Sequence, residues 1–322
     1  MAVADQLASE YRVLREACGL LDRSERGKLA LTGAEAAEFL NGQVSNEVLT
    51  LEPGQGCYAA LLTPKGKMLA DLRIVAVPES DDHELWLDTE RSALQSLFDS
   101  LRRHLVGFRA ELHKRTLAQG LLSLIGPEAS SLFDAPPPAT EHVSRRSTLA
   151  KRSVLLIRTD VGIDVVCDAA DTPVLASALR GAGAVTVSEE AAECLRIEDG
   201  RPRYGLDLDD STIPQEAALN DRAVSFTKGC YVGQETVARL YYRGKPNRQL
   251  RGLLLSGPAR TGQELRLDGR NVGRLGSVAL SPALGPIALA IVRREVETGA
   301  TLDVGSEGLI ANVVDLPFAL PG

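Results

Sequence analysis

The spacing of hydrophobic residues changes along the chain and separates it into three regions. From Arg91 to Leu105, apolar side chains recur every three or four residues, which predicts an amphipathic helix. Residues 57–63 and 68–77 are apolar runs joined by Thr-Pro-Lys-Gly-Lys, and this arrangement predicts a β-hairpin. Further strands are predicted at 84–88, 109–115 and 119–125. The first region is therefore expected to be an α+β unit.

The second region begins after a proline-rich break at residues 135–139. It contains predicted strands at 153–159, 162–168 and 184–187 and predicted helices at 172–181 and 189–197. From about residue 249 the helical spacing disappears, and short runs separated by glycine and proline predict a small all-β barrel or sandwich. We expect units at 1–135, 140–245 and 246–322, with the segment 196–245 contributing to a site in the first unit.

Length and composition set the class of protein. A chain of 322 residues exceeds what one hydrophobic core usually serves, so two or three domains are expected. The composition is 44% hydrophobic and 25% charged, without an apolar run near the ~20 residues that span a bilayer. The first ten residues carry neither the basic nor the apolar part of a secretion signal. We expect a cytoplasmic protein that does not associate with membranes.

The cysteines and histidines give no pattern of metal ligation. Five cysteines lie 27 or more residues apart, no Cys-x-x-Cys pair occurs, and the four histidines are equally dispersed. This spacing fits neither a disulfide framework nor a zinc or iron–sulfur ligand set. The sequence predicts no stably bound metal.

The stretch from Thr227 to Glu235 carries the densest candidate chemistry. It reads Thr-Lys-Gly-Cys-Tyr-Val-Gly-Gln-Glu and leads into a predicted helix that starts near Val232. Lys228 and the helix N-terminus would favour the thiolate form of Cys230 if the lysine and cysteine side chains converge. The alternative interpretation is a glycine-rich turn with a small buried thiol.

Positive charge is concentrated in one segment of an acidic chain. The net charge is −7, yet Arg222 to Arg251 holds seven basic residues and one acid, Glu235. This basic segment indicates a local anionic ligand or partner, and the alternative is a solvated helix face.

Common nucleotide and hydrolase motifs are absent. Gly66-Lys67 resembles the end of a phosphate-binding loop, but Leu61 and Met68 stand where that loop requires glycine and a magnesium-binding hydroxyl. The chain also lacks a dinucleotide-binding glycine fingerprint, a Gly-x-Ser-x-Gly elbow and a His-Glu-x-x-His motif.

Several segments together resemble a known family. The string Lys228–Glu235, followed by Val237–Leu240 and Arg243–Lys245, resembles the signature of the YgfZ family of folate-binding proteins. These are relatives of the glycine-cleavage T-protein, GcvT, an aminomethyltransferase. Residues 196–205, 213–216 and 62–75 are similar to stretches shared by both branches.

The resemblance implies a GcvT-like α+β fold. Its three domains would form a ring of two ferredoxin-like α+β units and a C-terminal all-β barrel around a central hole. That hole would hold tetrahydrofolate or a one-carbon derivative. The implied function is a tetrahydrofolate-binding accessory protein in iron–sulfur cluster assembly or maintenance that indirectly affects tRNA modification. Its partners would be iron–sulfur client or assembly proteins, and direct nucleic-acid binding is not expected.

The resemblance also assigns candidate site residues. Glu198 matches the glutamate that contacts the pterin, whose neighbouring N–H donors suit one carboxylate. Asp71 lies where the T-proteins carry an Asp-Asp pair, although this chain has Ala70-Asp71. As catalytic candidates we take Cys230, Lys228 and Asp71; as folate-binding candidates we take Glu198, Asp71, Tyr231, Gln234 and Arg239.

Two other functions remain open at this point. One is a folate-dependent aminomethyltransferase of the T-protein type that acts on a lipoyl carrier protein; Ala70 and the Cys230 motif weigh against it. The other is a tRNA-binding protein that uses the basic segment, with Tyr231, Tyr241 and Tyr242 as stacking candidates.

Overall fold

The structure, a computed structural model, describes residues 2–80, 82–306 and 308–320. The helices are α1 (Ala2–Glu16), α2 (Ala36–Gln43), α3 (Leu94–His104), α4 (Thr172–Gly181), α5 (Glu189–Glu198), α6 (Asn220–Ala223) and α7 (Gln234–Arg243). The strands before the barrel are β1 (Gly19–Asp22), β2 (Gly27–Thr32), β3 (Gly56–Leu62), β4 (Met68–Ala76), β5 (Leu85–Thr89), β6 (Glu111–Lys114), β7 (Gln119–Ile125), β8 (Ser144–Leu149), β9 (Arg152–Arg158), β10 (Gly162–Asp168) and β11 (Val185–Thr186). Those of the barrel are β12 (Arg248–Leu255), β13 (Glu264–Leu267), β14 (Arg270–Ser281), β15 (Gly285–Arg293), β16 (Thr301–Val304) and β17 (Leu309–Val314).

The first sheet is five-stranded, antiparallel and different on its two faces. Its strand order is β3-β4-β5-β2-β6, and β3 and β4 form the predicted hairpin. Because side chains alternate along a strand, Leu72 and Leu87 point to one face, where they pack with Phe39 of α2 and Leu97 of α3. The opposite face carries polar side chains at its centre, and this face lines a cavity.

The second sheet combines strands from both predicted α+β regions. Its order is β11-β1-β7-β10-β9-β8, with α4 packed against one side of it. Strands β1 and β7 belong to this sheet, although the predicted first unit, 1–135, contains both of them. The short β1 pairs in parallel with β11, more than 160 residues away in sequence.

The C-terminal region is a closed barrel. Its six strands follow the order β12-β15-β14-β13-β16-β17, and they enclose an apolar core that includes Leu253, Leu275 and Val292. The α+β fold with a C-terminal β-barrel is therefore confirmed. None of the helices in the described ranges has the length and apolar character needed to cross a membrane.

Candidate functional site

A polar cavity lies between the two sheets and the segment that leads to the barrel. It encloses about 220 Å³. Tyr58, Asp71 and Arg73 line it from the first sheet, Asp164 lines it from the second, and Asp199 lines it just after α5. The cavity thus brings together ionisable groups that are far apart in sequence.

Asp71 is a buried carboxylate in the wall of this cavity. Tyr58 donates its hydroxyl to Asp71 Oδ2 at 2.6 Å, and Thr89 donates its hydroxyl to the Asp71 backbone carbonyl, also at 2.6 Å. Burial raises the pKa of Asp71 to about 6. The repulsion of Glu90 acts in the same direction, whereas the Tyr58 hydrogen bond and the charge of Arg26 oppose it. A carboxylate with this pKa exchanges protons close to neutral pH, as acid–base catalysis requires.

Arg73 connects the two sheets beside Asp71. Its guanidinium pairs with Asp88 of the first sheet at 2.8 Å and with Asp164 of the second at 2.7 Å. Ser123 donates a further hydrogen bond to Asp164 at 2.6 Å. Burial alone would raise the pKa of Asp88, but Arg26 and Arg73 outweigh it and hold that pKa below its ordinary value. The wall therefore contains fixed, paired charges next to Asp71, which has no ion-pair partner within the described ranges.

Glu198 lies outside the lining of this cavity, in a buried cluster of its own. Tyr11 donates to Glu198 Oε2 at 2.9 Å, Arg15 pairs with the same oxygen, and Ser281 of β14 donates to Oε1. Only 1% of its surface is exposed. These contacts join α1, α5 and the barrel, and they occupy both carboxylate oxygens. The pterin contact assigned to Glu198 stays a prediction.

Asp199, the next residue, presents a free carboxylate to the cavity. Within the described part of the chain, no side chain hydrogen-bonds to it or pairs with it. Partial burial raises its pKa. The sequence carried a signal for this residue, because Asp199 follows Glu198 directly, but the pattern alone did not distinguish the two acids.

Lys228 has a different environment from the one expected. Its Nζ donates to the backbone carbonyls of Asn41, Val44 and Asn46 at 2.6, 2.8 and 2.7 Å. Burial lowers its pKa to about 8. All three ammonium hydrogens are thereby engaged, so the amine anchors the segment to the end of α2 instead of reaching the thiol of Cys230.

The rest of the signature string surrounds a turn outside the cavity lining. Cys230 is exposed, whereas Tyr231 is buried in a cluster with Met68 and Val237. Gln234 is the first residue of α7, two residues later than the predicted start. Arg239 is exposed on α7. Of the seven candidate residues, Asp71 is the one that lines the cavity.

The basic segment does not form one uniform surface. The Arg222 guanidinium lines the cavity, lies 5.6 Å from the centre of the Tyr58 ring and pairs with Glu141 at 2.6 Å. Arg248 pairs with Glu216 at 2.8 Å. One arginine of this segment is thus part of the site, and another holds the local structure together.

Two cavity residues had no signal in the sequence. His142 lines the cavity, and burial lowers its pKa to about 4, so the ring is neutral near pH 7. Tyr58 looked like one residue of an ordinary apolar strand. Its role follows from the register that places it opposite Arg73, on the same side as Asp71.

Two β-sheets with their packed helices and a barrel are arranged around a cavity with a buried carboxylate. They define an α+β protein with a C-terminal β-barrel, and comparison with known proteins gives its family. The GCVT N-terminal domain matches residues 1–228, and the glycine cleavage T-protein C-terminal barrel domain matches residues 248–319. The chain belongs to the glycine cleavage T-protein family.

Several relatives carry the same name. Proteins named aminomethyltransferase from Streptomyces coelicolor and Thermotoga petrophila are each 30% identical to this chain, and each match covers 96% of this chain and 88% of the relative. A crystal structure of glycine cleavage system aminomethyltransferase T from Bartonella henselae has a TM-score of 0.86 at 24% identity. That match covers 97% of this chain and 89% of the other, and it supports the GcvT-like fold.

These findings correct the expected function. The iron–sulfur accessory role is wrong as the main interpretation, because relatives aligned over 96% of the chain are named aminomethyltransferase. The iron–sulfur partners and the link to tRNA modification have no support in these comparisons. The structure also removes the objection based on Ala70. Ala70 packs in the apolar core on the opposite face of the sheet, so an acid at this position would point away from the cavity.

Proposed function

We propose that the protein is a folate-dependent aminomethyltransferase. The donor is an aminomethyl group on a lipoyl carrier protein, and the acceptor is tetrahydrofolate. The observation that carries the proposal is the buried Asp71 carboxylate, held by Tyr58 inside a polar cavity. The names of the relatives support the same reaction class. Within the family we place the chain on the YgfZ branch, on the strength of the string Lys228–Glu235 alone. That string lies outside the cavity lining, so it does not oppose transfer at Asp71.

The cavity suits one end of a folate. Its volume of about 220 Å³ is below the ~300–1,000 Å³ of sites that enclose whole drug-sized ligands. We infer that it takes the pterin ring and leaves the glutamate tail outside. The ring presents neighbouring N–H donors, for which the free carboxylate of Asp199 is a suitable acceptor. Asp199 is preferred to Glu198 because both oxygens of Glu198 already have donors.

Asp71 acts as the base in this reaction. When a folate nitrogen bonds to the transferred methylene carbon, that nitrogen loses a proton, and the ionised Asp71 accepts it. In the complete transfer, two N–H protons leave the folate while the departing amine and the carrier sulfur each gain one, so the protons balance. A pKa of about 6 leaves Asp71 mostly ionised at pH 7.5 yet able to hold the proton briefly.

Tetrahydrofolate-dependent release of ammonia tests the proposal. The purified chain is incubated with an aminomethylated lipoyl carrier protein, with and without tetrahydrofolate, and ammonia is measured over time. Turnover that requires both tetrahydrofolate and the chain is expected. Ammonia release at the uncatalysed rate, from protein shown to be folded, would overturn the assignment.

A further inference from the structure

We propose that Glu90 is a positioning residue for Asp71. It holds the guanidinium group of Arg26, with Arg203 as a more distant partner, and thereby keeps the Asp71 carboxylate unpaired and available for a proton. The inference rests on the proposed function, and it names a residue that neither the signature string nor the catalytic candidates include.

Glu90 lies between two arginines at the cavity wall. It follows β5 directly, and its carboxylate pairs with Arg26 and, at 3.4 Å, with Arg203. Arg26 comes from the turn between β1 and β2, and Arg203 from the segment that leads to the barrel. All three residues line the cavity together with Asp71.

Asp88, the second partner of Arg26, fixes the orientation of the Arg26 side chain. Arg26 Nε donates to Asp88 Oδ1 at 2.8 Å, and its NH2 group donates to Asp88 Oδ2 at 3.1 Å. Asp88 and Glu90 together engage both ends of this guanidinium. One donor on each of its three nitrogens is thereby engaged with a carboxylate, so the guanidinium gains little by turning toward another one.

Charged and titratable groups act on Asp71 from four elements of the structure. Tyr58 faces it from β3, Arg26 from the β1–β2 turn, Glu90 from the end of β5, and Tyr204 from the segment before the barrel. Of these, Glu90 raises the pKa of Asp71, and Arg26 lowers it. Glu90 thus opposes Arg26 in two ways, by its own charge and by occupying the arginine.

Removing the charge of Glu90 has a defined consequence. In Glu90→Gln the side chain keeps its size, but Arg26 and Arg203 lose a counter-charge, and Asp71 loses a repulsive neighbour. The ionised form of Asp71 becomes more stable, so its pKa falls. A weaker base results, and the acid limb of the activity profile moves to lower pH.

Carbon-13 NMR titration of the aspartate carboxyl groups tests this in the full-length protein without substrates. The Asp71 resonance is identified by its loss in Asp71→Asn. We expect a midpoint near 6 in the parent protein, a midpoint lower by about one unit in Glu90→Gln, and recovery toward the parent value in Glu90→Asp. An unchanged midpoint in Glu90→Gln would overturn the inference.

Glu189→Gln is the matched control. Glu189 also pairs with Arg203, at 2.6 Å, and with Arg23, but it does not line the cavity. If loss of any acid in the ion-pair network moved the Asp71 midpoint equally, the effect would be structural and the inference wrong. An unchanged midpoint in Glu189→Gln is expected.

The titration and the transfer assay separate the two proposals. If the parent protein releases no ammonia but Glu90→Gln still moves the Asp71 midpoint, the proposed function fails and the control of Asp71 by Glu90 stands. If the parent protein is active and the acid limb of kcat is the same in Glu90→Gln, the positioning role fails and the reaction stands.

Discussion

At the scale of single residues, the two faces of strand β4 have different roles. Ala70 and Asp71 are neighbours in β4, yet Ala70 faces the apolar core and Asp71 faces the cavity. The motif around Asp71 was visible in the sequence. The environment of Glu198 was not, because its partner Tyr11 is 187 residues away and its partner Ser281 belongs to the barrel. A local pattern identifies the residue type but not its distant partners.

Replacing Tyr58 is expected to shift the pH profile opposite to Glu90→Gln. The Tyr58 hydroxyl stabilises the ionised form of Asp71, so Tyr58→Phe raises the Asp71 pKa. Because the base is then less ionised near pH 6.5, activity at that pH falls by roughly tenfold, as expected for loss of one hydrogen bond to a charged group. The dependence of kcat on pH measures this shift. An acid limb that stays in place or moves to lower pH would contradict it.

Asp71 is also expected to cost stability at neutral pH. Its pKa of about 6 in the folded protein exceeds the ordinary aspartate value of 3.8, so the folded state binds the proton more tightly than the unfolded state. The free energy of unfolding therefore falls as pH rises from about 4 to 6, by about 3 kcal/mol for this group. Asp71→Asn removes this loss. Urea unfolding at pH 4.5 and 7.5 should show Asp71→Asn gaining stability over the parent mainly at pH 7.5, and an equal difference at both pH values would contradict the buried charge.

At the scale of elements, close backbone contacts shape the signature string. Gly233 has φ 85°, and a Cβ there would lie 2.5 Å from the Thr63 carbonyl in the β3–β4 turn. Gly66 in that turn has φ 74° and packs against Thr236 of α7. The first turn of α7 therefore rests on the hairpin. The two glycines of the string suggested a tight turn, but the sequence could not show which of them makes the close contact.

Gly233→Ala and Gly229→Ala form a matched pair. A methyl group at Gly233 meets backbone and forces an unfavourable φ, so Gly233→Ala should lower the free energy of unfolding by about 1–3 kcal/mol. Gly229 has no atom within 4 Å of an added Cβ and should tolerate alanine with little change. Urea unfolding of both variants measures the difference. Equal losses would show that the contact with the hairpin is not what requires glycine.

Elements with strong periodicity were predictable, and some others were not. Helices α3, α4 and α5 and most barrel strands lie within a few residues of their predicted positions. Helix α1 was missed although Leu7, Tyr11 and Leu14 form an apolar stripe along it, so its signal was present. Strand β8 had little signal, because this edge strand buries few side chains and reads as a polar segment.

At the scale of the whole molecule, strands of the predicted first unit join the second sheet, and ion pairs link the two sheets. Strand β1 leaves the first region to join the second sheet, and Arg73 pairs with carboxylates of both sheets. Such long-range pairing leaves no local pattern in the sequence, so it could not be predicted from composition. The cavity exists because the sheets meet through polar groups at this position.

Breaking the link between the sheets is expected to destabilise the protein strongly. Asp164→Ala leaves Arg73 with one buried partner and should lower the free energy of unfolding by about 3–5 kcal/mol. Asp168→Ala, at the exposed end of the same strand, is the control and should cost little. Thermal or urea unfolding distinguishes the two variants. A loss below 1 kcal/mol for Asp164→Ala would mean that the pair does not hold the sheets together.

The most direct test of the central claim is the rate of tetrahydrofolate-dependent ammonia release by the parent protein and by Asp71→Asn. We expect the parent to turn over and Asp71→Asn to lower kcat by about 10²–10⁴-fold while tetrahydrofolate still binds, as for loss of an acid–base group. Asp303→Asn, an exposed acid on barrel strand β16, should match the parent. Full activity in Asp71→Asn would contradict the account.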